Sequence, residues 1–161
     1  MKKIDFIILS HNSEKYLKRC IESILNIEKY KIKIHIIDNG STDGSINIIK
    51  DFKEERIILT PLNKNYGTTI SRNIGLKQIT VTDYICILDS DTIINEDAID
   101  IMVKYLDQHN EVGLVGPSMK GINNEKQTPF RKFPSWKIKL CKACPIKKIQ
   151  RKGENLENYI N

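Results

Sequence analysis

Glycine, proline and tryptophan are scarce in this 161-residue chain, with eight Gly, five Pro and one Trp. That excludes collagen-like and low-complexity architectures, whose compositions are built on Gly and Pro. Long apolar runs are lacking as well. No stretch approaches the ~20 residues of a membrane-spanning helix. The first apolar segment, residues 4–9, is interrupted by Asp5, and no small-residue cleavage site follows it. This argues against a leader peptide and for a cytoplasmic protein. Cysteines number only four, too few for a disulfide framework, and a chain of this size can bury a core without one. Cys20 falls on an apolar helical stripe and Cys86 in an apolar strand, where each serves packing. Cys141 and Cys144 form one C-x-x-C with no second ligand pair, and His11, His35 and His109 show no matching spacing, so a structural zinc site is not expected. Acidic residues are nearly missing from 120–152, where Glu125 stands against 11 Lys or Arg; the rest has 15 basic and 19 acidic residues. Such a segment suits an anionic neighbour, such as a phosphorylated acceptor or the inner face of a membrane, or else a solvated or covered face.

What is present is an alternation of short apolar strands with helices. Residues 4–9, 33–37, 57–59, 84–88 and 112–115 read as strands; β-branched Ile dominates the second, and the fourth reads as buried. Leu17, Cys20, Ile21, Ile24 and Leu25 recur at spacings of three and four, which predicts an amphipathic helix over 14–27. Further helices are predicted over 44–53, from the loop 63–66 to about Lys77, and from Asn95 to about His109. Five alternations predict an α/β fold with a mostly parallel sheet flanked by helices on both faces. Residues 1–118 form this domain. Residues 119–161 form a basic, irregular segment in which strand and helix periods both fit in part.

In such sheets ligands bind at the carboxyl ends of the strands. The residues there are Ser10, His11 and Asn12, then Asp38 and Asn39, then residues 63–66, then Asp89, Ser90 and Asp91. Asp89 and Asp91 follow four apolar residues. Two carboxylates so close repel, and a divalent cation relieves the repulsion. Mg²⁺ and Mn²⁺ prefer oxygen and bind one or two carboxylates plus substrate phosphates. The plain alternative is a solvated turn capping the next helix. Asp38 is placed to accept from a ring imide such as that of uracil or thymine, or else to shape the Asn39-Gly40 turn. Arg72, inside a helix, is placed to pair with phosphate or with one of the carboxylates, or else is merely exposed.

Together these segments resemble glycosyltransferase family 2 on the GT-A fold. The matching pieces are residues 8–13, the Asp38-Asn39-Gly40-Ser41-Thr42-Asp43-Gly44 run, Asn65-Tyr66-Gly67 with Ser71-Arg72-Asn73-Ile74-Gly75, and Asp89-Ser90-Asp91. The resemblance implies that Ser10, His11 and Asn12 line the base and ribose, that Asp38 binds the base imide, and that Arg72 faces the donor. It implies Asp89 near the ribose or donor sugar, and Asp91, with Asp89, on a Mn²⁺ or Mg²⁺ held by the diphosphate of a UDP-sugar or dTDP-sugar. The implied reaction is transfer to an acceptor hydroxyl, on a glycan or a lipid-linked acceptor, with inversion.

Family members usually continue further, with a Glu-Asp motif that supplies the general base. Here the late acids Glu125, Glu154 and Glu157 sit in no counterpart of it, so the chain reads as a truncated member, incomplete at its C-terminus, with the base unassigned. The alternative is a nucleotide-sugar-binding module without turnover. A haloacid-dehalogenase-type hydrolase wants its two Asp on the first strand, a dehydrogenase wants G-x-G-x-x-G there, and a nucleotidyltransferase wants a Gly-rich loop. Residues 10–15 offer none of these. Nucleic acid is not an expected partner, because no recognised motif accompanies the basic segment.

Overall fold

The computed structural model describes residues 1–121, 123–127, 135–143 and 145. It divides into a first unit, Met1–Asp107, and a second that begins at Gln108. The first unit holds β1 (Lys3–Ser10), α1 (Glu14–Leu25), β2 (Lys31–Asp38), α2 (Ser45–Asp51), β3 (Ile57–Pro61), α3 (Thr68–Leu76), β4 (Tyr84–Asp89) and most of α4 (Glu96–Gln108). All four strands are parallel, in the order β3-β2-β1-β4.

Side-chain alternation assigns the two sheet faces. Ile4, Phe6 and Ile8 of β1 and Ile32, Ile34 and Ile36 of β2 point to one face. There they meet Leu17, Cys20, Ile21 and Ile24 of α1, Ile49 of α2, and Ile99 and Val103 of α4. The predicted α1 stripe is therefore the buried stripe. Truncating one of these fully buried side chains to Ala removes about 2–5 kcal/mol of stability. On the other face α3 lies close to β1 and β2. A Cβ on Gly75 would stand 2.9 Å from Ile7 Cγ2 and 3.2 Å from Ile37 Cγ1, so a side chain here would push α3 off the sheet. Asp5 is buried on that same face. Its Oδ2 lies 3.0 Å from His35 Nε2, while His35 Nδ1 lies 3.4 Å from Gln78 Oε1.

Two expectations need correction. First, among the described residues β4 is an edge strand and not a buried one. Ile85 and Ile87, on the α3 face, are 45% and 47% exposed, while α3 packs chiefly on β1 and β2. Second, the fifth strand expected at 112–115 does not form. Val112 N–H donates to His109 O at 2.9 Å in a turn, Gly113 interrupts so short a run and Gly116-Pro117 follows it, and Leu114 is 83% exposed. An apolar run needs a ladder partner to become a strand, and this one has none among the described residues. The second unit contains instead a two-residue antiparallel ladder, β5 (Met119–Lys120) with β6 (Lys126–Gln127), and a helix, α5 (Trp136–Ala143). The segment with competing periods thus includes a helix from Trp136. About half of 120–152, where the anionic-partner expectation falls, lies outside the described residues. Among the described residues no helix is long and apolar enough to cross a membrane.

Candidate functional site

The strand order places β2 and β3 on one side of β1 and β4 on the other. The crevice of an open α/β sheet opens where this reversal occurs, at the carboxyl ends of β1 and β4. Register brings the expected residues to that edge. Ser10 pairs with Asp38 and Leu9 with Asp89, so one strand separates the two aspartates. With strands ~4.8 Å apart, their Cα atoms stand about 10 Å apart.

Asp89 is the last residue of β4, and Ser90 and Asp91 turn away from it, with Thr92 N–H donating to Asp89 O at 3.1 Å. Burial alternates. Asp89 and Asp91 are exposed, whereas Ser90 points inward. Both carboxylates are thus open to solvent, one on each side of the buried Ser90. Arg72 reaches from α3, and its Nη2 donates to Asp89 Oδ1 at 2.6 Å. Of the two partners open to Arg72 from the sequence, this structure shows the carboxylate. The Arg72 Nε is buried and has no hydrogen-bond partner among the described residues, and the same holds for the Ser10 hydroxyl.

Asp38 lies deeper than a ligand-reading group needs to. It is fully buried, and both carboxylate oxygens accept from Ser41, one from the backbone N–H at 2.9 Å and the other from the hydroxyl. An imide N–H would have to displace Ser41 to reach it. Asn12 has a left-handed backbone (φ 50°). Its N–H donates to the Ser41 hydroxyl at 2.9 Å, and its Oδ1 accepts from Thr42 N–H at 2.8 Å. The first and second strand-end loops are thereby tied together. The His11 side chain is exposed at their rim.

Asn39, read from sequence only as a turn former, is the hub of this edge. Its N–H donates to Ser10 O at 2.7 Å. Its Oδ1 accepts from Tyr66 N–H and from the Ser71 hydroxyl, both at 2.8 Å, and its Nδ2 donates to Asn65 Oδ1 at 2.9 Å. Ser71 precedes Arg72, so Asn39 links the β2 loop to the helix that carries the guanidinium. Gly40 permits the link. Its φ is +75°, and a Cβ there would stand 2.6 Å from the Lys64 carbonyl carbon, an approach that only glycine tolerates.

Beneath the aspartates lie two thiols. Burial pushes Cys20 up to about 12, with the nearby Asp91 charge adding to the shift. Burial pushes Cys86 to about 12 as well. Burial thus keeps both thiols protonated near neutral pH. Packing, the expected role, is what they do.

No three His, Cys, Asp or Glu side chains converge among the described residues. Protein side chains alone therefore do not form a cage. Asp91 makes no hydrogen bond or ion pair among the described residues, while Asp89 shares one oxygen with Arg72. One or two open carboxylates facing solvent fit a Mg²⁺ or Mn²⁺ ion that takes its remaining oxygens from a phosphate ligand and water.

Fold and site define an open α/β domain with polar side chains gathered at the carboxyl ends of its parallel strands. The family model for glycosyl transferase family 2 matches residues 5–158, and the chain belongs to that family. It is 38% identical over 114 residues to an uncharacterized glycosyltransferase of Haemophilus influenzae, covering 70% of this chain and 45% of that protein. It is 31% identical over 113 residues to the poly-beta-1,6-N-acetyl-D-glucosamine synthase of Staphylococcus epidermidis, covering 70% and 27%. Among solved structures it resembles S. aureus TarS 1-349 in complex with UDP-GlcNAc, with a TM-score of 0.59 and 23% identity over 76% of this chain and 41% of that one. It also resembles the Pyrobaculum calidifontis mannosyltransferase PcManGT in complex with GDP-Man and Mn²⁺, with a TM-score of 0.61 and 19% identity over 74% and 36%. These likenesses establish the GT-A fold. The chain spans less than half the length of each of these proteins.

Proposed function

We propose that this chain forms the donor-binding part of a hexosyl-transferring glycosyltransferase, binding a nucleoside-diphosphate sugar over residues 1–118. The observation that carries the proposal is the convergence of Ser10, Asp38, Arg72, Asp89 and Asp91 on one sheet edge, with Asp91 facing outward and unpaired. Relatives solved with UDP-GlcNAc and with GDP-Man and Mn²⁺ support a nucleotide sugar and a divalent ion as the ligands. In this reading Asp91, with Asp89, holds a Mn²⁺ or Mg²⁺ on the diphosphate. A bound ion would neutralise charge on the departing nucleoside diphosphate.

The chain's own groups do the rest. Arg72 exchanges Asp89 for phosphate or shares itself between them. The Ser10 hydroxyl and Arg72 Nε have no hydrogen-bond partner among the described residues, and both stand at this sheet edge. Asp38 reads the imide if Ser41 yields its place, and otherwise fixes the loop that lines the base. The acceptor is a hydroxyl on a glycan or lipid-linked sugar, attacked with inversion. Calorimetric titration with UDP tests the proposal. The expected outcome is affinity at least about tenfold higher with Mn²⁺ than with EDTA. Equal affinities would remove the metal–diphosphate site. A binding module without turnover would give the same titration, and a donor-hydrolysis assay separates it from an enzyme.

A further inference from the structure

Ser13 occupies the N-cap of α1, where a serine hydroxyl ordinarily accepts from the backbone N–H two or three residues on. Here it makes no such bond. Its backbone carbonyl serves the helix, accepting from Tyr16 N–H at 2.9 Å and Leu17 N–H at 3.0 Å. The hydroxyl instead turns back along the chain, lying 3.3 Å from His11 O and accepting from His11 N–H at 3.4 Å, and shares a much shorter 2.6 Å hydrogen bond with the hydroxyl of Ser90, the residue between the two aspartates. Both serines are more than nine-tenths buried. The Ser13 N–H donates to the Ser45 hydroxyl at 2.9 Å, at the start of α2. Ser13 therefore touches the element after β2 and the turn after β4 at once. A weaker contact supports the same turn from below, the Cys20 thiol donating to Asp89 O at 3.8 Å.

We propose that Ser13 is a positioning residue for the two-aspartate turn. Its hydroxyl holds the buried Ser90 against α1, and that anchor fixes the turn in which the exposed Asp89 and Asp91 flank Ser90. The structural sign is the length of the bond: beside its two long contacts to the His11 backbone, the hydroxyl makes its shortest bond, 2.6 Å, to a residue 77 positions away in sequence. Its effect on ligand affinity rests on the donor-site reading above; its effect on the turn does not.

The test is Ser13→Ala in the full chain, read two ways. Amide hydrogen exchange by NMR should show the Thr92 N–H, bonded to Asp89 O, exchanging about tenfold faster, while the Leu17 N–H, bonded to Ser13 O, keeps its rate. UDP affinity in Mn²⁺ should fall about tenfold, while affinity in EDTA holds. Ser90→Ala should give the same pattern from the other side, and the double variant should be no worse than either single one. A Thr92 rate equal to wild type overturns the proposal. So does equal acceleration at Leu17, which marks general fraying of α1. If wild type shows no Mn²⁺ enhancement, the donor-site reading fails by itself, and the Thr92 rate still decides whether Ser13 holds the turn.

Discussion

Asp91→Asn is expected to abolish the Mn²⁺ enhancement of UDP binding while leaving the metal-free affinity and the melting temperature unchanged. The reasoning is local. Asp91 is exposed and makes no hydrogen bond or ion pair among the described residues, so folding does not use its charge. Asn keeps the shape but supplies a neutral oxygen, a far poorer ligand for a hard divalent ion. The loss should be at least about tenfold in affinity, since even partners one shell removed from a metal change affinity by roughly 10–100-fold. Relief of repulsion from Asp89 works in the opposite direction on stability and is small between exposed charges. A melt lowered by more than about 3 °C, roughly 1 kcal/mol for a chain of this size, would show that Asp91 is structural and not a ligand.

Asn39→Leu should have the largest effect on the fold of any substitution at this sheet edge. The replacement has nearly the same size but cannot satisfy the Tyr66 N–H, the Ser71 hydroxyl or Asn65 Oδ1, all of which bond to the Asn39 side chain. Leaving buried partners unpaired costs about 1–3 kcal/mol each. With part of the set rescued by water, a loss of about 3 kcal/mol is expected, or roughly 10 °C in melting temperature. Asn39→Asp keeps the acceptor oxygens and loses only the donor to Asn65, so it should lose clearly less. Metal-free UDP affinity should fall in both, because Ser71 anchors the helix that presents Arg72. A Leu variant as stable as wild type would show that the hub is not the link between the β2 loop and α3.

The sequence made the core legible because its signals were redundant. Ile-rich strands β1 and β2 and the α1 stripe each carried both composition and period. β4 was misread as buried because four apolar residues in a row look the same at an edge as at the centre of a sheet. Only its neighbours decide, and here α3 packs chiefly on β1 and β2 and leaves Ile85 and Ile87 exposed. The segment 112–115 failed for a related reason, since a strand needs a partner that no local pattern reports. At the site, the strand-end rule named the loops that the register brings to one sheet edge, but not how those loops bond to one another. Asp38 and Ser41, three residues apart, had the spacing of a carboxylate that closes its own turn. That spacing was the available signal for the bonds now seen. The roles of Asn39, Ser13 and Ser90 had no such signal, because their partners lie 26–32, 32 and 77 positions away.

Paramagnetic broadening of backbone amides by Mn²⁺ in the presence of UDP tests most directly whether the ends of β1, β2 and β4 share one ligand. Broadening should be strongest at residues 89–92, next at 10–13, and weaker at 38–41, with no effect near the hollow lined by Lys50, Lys53, Glu54 and Glu55. It should vanish in Asp91→Asn. Broadening centred on that hollow, or spread evenly over exposed acids without dependence on UDP, would contradict a shared metal–diphosphate site.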